Sequence, residues 1–209
     1  MHCPLCENIK HVEFSSDKHR DYYQCNNCEL IFVSPNQRPL PSDEKARYMT
    51  HNNDDDNEGY VRFLSRIIDP LSNRVHESAK GLDYGCGPNP VLSKLLSKRG
   101  FDMSYFDPFF FNTRELLDKK YDFIVSTEVA EHMFDPQREF EFLFSRLSGN
   151  GTLALMTNLY TDKIDFDKWH YKNDTTHVCF YTEKSIKWIS TYFNYKAEVI
   201  LPDLIFFKK

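Results

Sequence analysis

Cys3-x-x-Cys6 and Cys25-x-x-Cys28 are two short thiol pairs separated by a longer segment. Four thiolates at this spacing suit tetrahedral Zn2+ with every position filled by protein, a structural rather than a catalytic metal site. Such a site contributes about 10–16 kcal/mol to folding in zinc-finger peptides, enough to order a segment with little core of its own. His2, His11 and His19 lie nearby and read as surface histidines. A second chemical feature is Gly81-Leu82-Asp83-Tyr84-Gly85-Cys86-Gly87-Pro88-Asn89-Pro90. Glycines at Gly85 and Gly87 permit positive φ and let a ligand approach the backbone. A dinucleotide fingerprint needs a third glycine. Here its slot holds Pro90, and proline removes an amide donor that a diphosphate could use. The turn therefore reads as the floor for a nucleoside cofactor without phosphates. Asp107, in Tyr105-Phe106-Asp107-Pro108, offers a carboxylate for ribose hydroxyls.

These groups need strands and helices to hold them. Leu82-Asp83 reads as a strand end, with Asn89 as helix N-cap and Pro90 at the first helical position. Val91, Leu92, Leu95 and Leu96 then share a helix face that stops at Gly100. Met103 to Phe106 and Phe123 to Val125 read as strands, the latter buried on both sides. Asp135-Pro136 starts a helix carrying Phe140, Leu143, Phe144 and Leu147. Gly149-Asn150-Gly151 reads as a turn before a strand to Met156. Thr182 is expected to cap a helix, and Lys196–Leu201 and Leu204–Phe207 to close the sheet as a strand pair. Alternation of this kind predicts an α/β fold, a parallel-rich sheet with helices on both faces. Residues 35–57, with Pro35, Pro39, Pro41 and the polar run from His51 to Asn57, read as a linker. The expected division is 1–47, the zinc ribbon and linker start, and 48–209, the catalytic domain.

The ordered motifs resemble a known family. Asp83-x-Gly85-x-Gly87 is similar to motif I of class I S-adenosylmethionine (SAM) dependent methyltransferases. Tyr121 to His132, ending Glu128-Val129-Ala130-Glu131-His132, resembles that family's fourth-strand segment. Trp169-His170-Tyr171-Lys172-Asn173-Asp174-Thr175-Thr176-His177-Val178 resembles a segment of a bacterial subgroup related to zinc-bearing sugar C-methyltransferases, which often carries an N-terminal cysteine module. The resemblance implies a Rossmann-like methyltransferase sheet preceded by a small zinc ribbon, with SAM and structural Zn2+ as cofactors. It implies cofactor contacts from Asp83, Gly85, Cys86, Gly87, Asp107, Pro108 and Glu128. His132, His177 and Glu131 become the catalytic candidates, because a histidine titrates near neutral pH and can take a proton from the acceptor. Tyr171 and Tyr181 read as either pocket lining or core.

There are two departures from the family pattern. Only 14 residues separate Asp107 from Asp122, too few for the usual helix, third strand and adenine loop. One sheet edge should therefore be trimmed, with Phe109-Phe110-Phe111 and a short helix in its place. Larger relatives of the sugar subgroup continue into another C-terminal domain, so a deoxysugar is one acceptor among several.

With 209 residues, 41% hydrophobic and 15% aromatic, the chain can bury one full core and carry a small appendage. Net charge is −5, and residues 1–47 hold six Lys/Arg against seven Asp/Glu, a balance that disfavours nucleic acid. No apolar run suits a bilayer and no secretory signal opens the chain, so the expected location is cytoplasmic with reduced cysteines. The leading expectation is methyl transfer from SAM to a small molecule by in-line displacement. Two other readings stay open: an RNA or protein methyltransferase that uses the ribbon to hold its substrate, and a degenerate SAM-binding protein.

Overall fold

The computed structural model describes residues 1–50 and 56–209. The N-terminal segment forms β1 (His11–Ser16), β2 (Asp21–Cys25) and β3 (Ile31–Val33), followed by α1 (Pro41–Tyr48). The rest comprises α2 (Glu58–Ser72), β4 (Lys80–Tyr84), α3 (Val91–Lys98), β5 (Asp102–Phe106), β6 (Tyr121–Thr127), α4 (Pro136–Ser145) and β7 (Leu147–Met156). It ends with β8 (Cys179–Phe180), α5 (Glu183–Phe193), β9 (Lys196–Ile200) and β10 (Leu204–Lys208).

Six strands form the main sheet in the order β5-β4-β6-β7-β10-β9. The first four are parallel, and β10 runs against both its neighbours. Successive side chains on a strand point to opposite faces. Phe123, Val125, Ala154, Met156, Leu204 and Phe206 meet α2 and α3 on one face. Ile124, Leu153, Leu155, Ile205 and Phe207 meet α4 and α5 on the other. Burial on both faces accounts for the near-continuous apolar runs of β6 and the end of β7. The expected α/β class, with helices on both sides of a parallel-rich sheet, is the observed one.

The expected trimming also occurs. Between β5 and β6 the chain makes only a bridge from Asp107 to Phe111 and one 3-10 turn over Arg114–Asp118. Among the described residues β5 is the last strand on that side.

Three local expectations are corrected. Residues 41–48, read as linker, are helical. Pro41 occupies the first turn, where its missing amide costs nothing, and Asp43 and Glu44 favour the positive end of the helix. The Asn52 to Asp55 part of the polar run lies outside the described residues, as does His51. The Gly149-Asn150-Gly151 turn is absorbed into β7, which advances five residues from Leu147 to Thr152 while β6 advances two. Such a bulge removes the need for a break in the strand. The α3 cap falls on Pro90 instead of Asn89, whose side chain accepts from Lys94 Nζ at 2.7 Å. Elsewhere the caps fall as expected: Asp135 accepts from the Arg138 amide, and Thr182 makes a reciprocal capping box with Ser185.

The second sheet is antiparallel, β1-β2-β3-β8. Its fourth strand comes from far along the chain, with Ile31 opposite Phe180 and Phe32 opposite Cys179. Tyr22 of β2 sits edge-on to Phe166 and Phe180, at ring separations of 5.1 and 5.9 Å. The cysteine-bearing segment and the main sheet therefore share one continuous apolar core. No described helix is long and apolar enough to cross a membrane.

Candidate functional site

The carboxyl ends of β4, β5 and β6 open into a cavity of about 450 Å³. Ligands of open α/β sheets bind at this end of the strands. Its floor is the turn after β4. Gly85 and Gly87 have φ of 83° and 68°. A Cβ on Gly85 would fall 2.4 Å from Val129 Cγ2, whereas one on Gly87 would meet nothing within 4 Å. Gly85 is thus forced by packing, and Gly87 presents bare backbone to open space. The amides of Gly85 and Cys86 donate to Phe106 O at 2.8 and 3.2 Å, which ties the turn to the end of β5.

Asp107 stands beside this turn and is buried. Its Oδ2 accepts from the Gly87 amide at 3.0 Å, and its Oδ1 from the Phe109 and Phe110 amides at 2.8 and 3.1 Å. A carboxylate has about four acceptor positions, so capacity remains for a ribose hydroxyl. Pro108, Cys86 and Phe109 line the wall beside it. Burial pushes the Cys86 thiol up, and Asp83 and Asp107 add to that, so Cys86 stays a protonated wall residue. Beneath the turn, Asp83 Oδ2 accepts from Ser93 Oγ at 3.0 Å, and burial pushes its carboxyl up to about 7.

The opposite end carries the histidines. His132 and His177 cross edge to face, 4.7 Å between ring centroids. Nδ1 of His132 lies 3.0 Å from Thr176 O, and Nδ1 of His177 lies 2.7 Å from Tyr171 O. A carbonyl only accepts, so both Nδ1 atoms carry a proton. Burial pulls His177 down to about 4, so it is neutral at physiological pH. Glu131 lies behind this pair, fully buried, and does not itself line the cavity. Its Oε2 accepts from Thr157 Oγ1 at 2.9 Å. The Tyr171 hydroxyl lies 3.2 Å from Thr157 Oγ1. Glu128 follows β6 in the left-handed region, φ 53°, and its Oε1 is buried without a hydrogen-bond partner. Burial pushes its carboxyl well up, reinforced by Glu131. A non-glycine residue held at positive φ is the kind of strain that clusters at functional sites.

Four thiols converge in a separate place, with all sulfurs within 4.8 Å of one another. Cys3 Sγ lies 3.5 Å from Cys28 Sγ, and Cys6 Sγ 3.4 Å from Cys25 Sγ. Tetrahedral coordination with ~2.3 Å bonds needs sulfurs about 3.8 Å apart, so small adjustments suffice. The two knuckles are alike. Glu7 and Glu29 both sit at φ 57°, and their amides donate to Cys3 O and Cys25 O.

Asp83, Gly85, Cys86, Gly87, Asp107, Pro108, Glu128, His132 and His177 thus share one cavity. Tyr171 and Tyr181 prove to be core, with Tyr181 donating to Ala130 O. Sequence reasoning missed the roof, Glu44 and Tyr48 of α1 with Tyr60 and Phe63 of α2. The Tyr48 ring stands edge-on to His132 at 5.3 Å, and burial pushes the Glu44 carboxyl up. Pro41 with Asp43 and Glu44 two and three residues on was the available signal. The cavity is lined by five carboxylate side chains and, among the described residues, by no Lys or Arg.

A family model described as "Methyltransferase domain" matches residues 49–198. No curated protein matches the chain. Among solved structures, the chain resembles an O-methyltransferase family protein from Burkholderia thailandensis, at TM-score 0.56 and 12% identity over 79% of this chain. It spans 62% of that protein's length. It also resembles 1,6-didemethyltoxoflavin-N1-methyltransferase of the same organism, solved with 1,6-didemethyltoxoflavin and S-adenosylhomocysteine (SAH). That match has TM-score 0.56 and 11% identity over 94% of this chain and 98% of the other. A third is magnesium protoporphyrin IX methyltransferase from Synechocystis PCC 6803 with bound SAH, at TM-score 0.52 and 11% identity, covering 80% and 94%. Identities this low carry the fold alone.

Proposed function

This chain belongs to the methyltransferase-domain family, as a SAM-dependent methyltransferase, and on that premise we propose that its acceptor is a small molecule bound at the histidine end of the cavity. The observation that carries this reading is the continuity of one cavity from the glycine turn and Asp107 to His132 and His177. Its volume falls within the range of roughly 300–1,000 Å³ usual for small-molecule sites. When bound, SAM supplies a methyl group already activated by its sulfonium, so the protein's task is chiefly to align donor and acceptor. Gly85, Cys86 and Gly87 form the floor, Asp107 and Pro108 meet the nucleoside, and Glu128 closes the β6 side. His132 and His177 face the acceptor with their Nε2 atoms, and Glu131 backs them. Tyr48 and Glu44 on α1 roof that end against water.

The lining chooses among acceptors. Among the described residues no Lys or Arg lines the cavity to pair with a phosphate, which argues against RNA and phosphorylated acceptors. A neutral or cationic molecule of sugar or secondary-metabolite type suits these walls. The four cysteines hold structural Zn2+, and residues 1–47 act as a clamp on the catalytic domain of residues 48–209. Six free cysteines fit a reducing compartment, the cytoplasm.

Calorimetry tests the reading. SAH should bind and NAD should not, and Asp107→Asn should weaken SAH by roughly 1–3 kcal/mol. Unchanged affinity in that variant removes the ribose contact, and capture of NAD in place of SAH sinks the whole assignment.

A further inference from the structure

We propose that Glu131, His132 and His177 bind one divalent transition-metal cation at the acceptor end of the cavity. One ligand atom from each of the three lies within 4.8 Å of the other two. Two imidazoles and one carboxylate form a donor set that suits Mn2+, Fe2+, Co2+ or Zn2+ and leaves coordination positions open.

The surroundings match what a metal needs around its ligands. Each imidazole has its Nδ1 committed to a backbone carbonyl, Thr176 O or Tyr171 O. That leaves Nε2 as the metal-binding atom and fixes the ring. Glu131 is similarly steadied, its Oε2 accepting from Thr157 Oγ1. Its other oxygen, Oε1, is buried and has no hydrogen-bond partner. Oε1 lies 3.9 Å from His177 Nε2, too far for a hydrogen bond. Two groups that only accept therefore face each other inside the protein, a costly arrangement unless something positive lies between them. A proton shared between them does not span that gap, whereas a cation bonded to both does. Glu128 adds a further partnerless carboxylate oxygen to the same cavity.

His132 and His177 line the cavity, so a cation held by them faces the acceptor. The acceptor class that follows is a molecule presenting an oxygen or nitrogen able to ligate the metal beside the methyl donor. In this arrangement the imidazoles work on the acceptor through the cation. The inference rests on the reading above for what happens at that end of the cavity. Cation binding is nonetheless measured without turnover.

The probe is Mn2+, which favours nitrogen and oxygen donors over the thiolates of the ribbon. The full chain, with its cysteine site loaded with Zn2+, is titrated with Mn2+ and the free ion followed by electron paramagnetic resonance. SAH affinity and thermal melting are measured on the same samples. One Mn2+ per chain is expected. His132→Gln should weaken it at least tenfold, and Thr157→Val, which removes the hydroxyl on Glu131, by about 10–100-fold. Both variants should melt as the parent does and keep SAH. If either unfolds, the parent titration and the other variant decide. Absence of any Mn2+ or Zn2+ bound beyond the ribbon's own, or binding indifferent to these substitutions, overturns the site. SAH binding without Mn2+ would sink the cation alone, and Mn2+ binding without SAH would sink the methyltransferase reading alone.

Discussion

The glycine turn and the histidine loop lie at two ends of one cavity and are built by different means. The turn is local. Gly85, Cys86 and Gly87 follow directly from β4, and their partners Phe106 and Asp107 end the adjacent strand. The loop of residues 170–178 is held from far away in the sequence. Arg20 of the cysteine-bearing segment is buried, and its guanidinium donates to the carbonyls of Asp174 and His177 at 3.1 Å each and also to Lys172 O. Lys172 Nζ reaches Asp17, and Arg47 of α1 pairs with Asp174 at 2.9 Å. The Val178 backbone bridges Val33 and Glu131. The ribbon therefore acts on the site as a brace behind His177. A glycine turn can be made from one strand-turn-helix unit, but holding two imidazoles and a buried carboxylate in register needs a second body to lean on.

The comparison breaks most sharply at the four cysteines. Cys25→Ser should forfeit most of the ~10–16 kcal/mol that such a site contributes, releasing zinc and loosening residues 170–178. Elemental analysis with hydrogen exchange reads both, and full zinc retention would contradict a four-thiolate site. Arg20→Met is the next largest. Two buried carbonyls and one half-buried one lose a charged donor, at roughly 1–3 kcal/mol for each buried one. Turnover should fall while SAH affinity holds, and an equal loss of both would erase the distinction between the two ends. Gly85→Ala should do the reverse. Its positive φ costs about 1–2 kcal/mol, the Cβ meets Val129, and SAH binding should weaken first.

The smallest effect is in pH. Asp83 has its folded pKa raised to about 7 by burial, from 3.8. The folded state then holds a proton that the unfolded chain has lost, so stability falls as pH rises between about 4 and 7. The slope is at most about 1.4 kcal/mol per pH unit. Chemical denaturation across that range should show the decline in the parent and a flatter curve in Asp83→Asn. Identical curves would mean that the carboxyl is charged in the fold.

Much of this was legible in the sequence, and unevenly so. The strands β4, β5 and β6 announce themselves by apolar runs ending in glycine or a carboxylate, because a ligand at their ends requires those residue types there. The paired cysteines were legible for the same reason, since ligand spacing is a local geometric demand. The helix α1 was not, because Pro39 and Pro41 read as breakers until Pro41 is seen at a helix start. Nor was the partnership of β3 with β8, since two residues carry too little periodicity to signal a strand.

The sequence by itself determined the sheet, the cofactor turn and the thiol cluster, each of which depends on residues close together in the chain. The tertiary structure alone decided that Arg20 braces His177, that Tyr48 covers His132 and that Glu131 Oε1 faces His177 Nε2 unpartnered. Those contacts join residues 46 to 157 positions apart, and only packing in a shared core brings such groups within hydrogen-bonding or van der Waals reach.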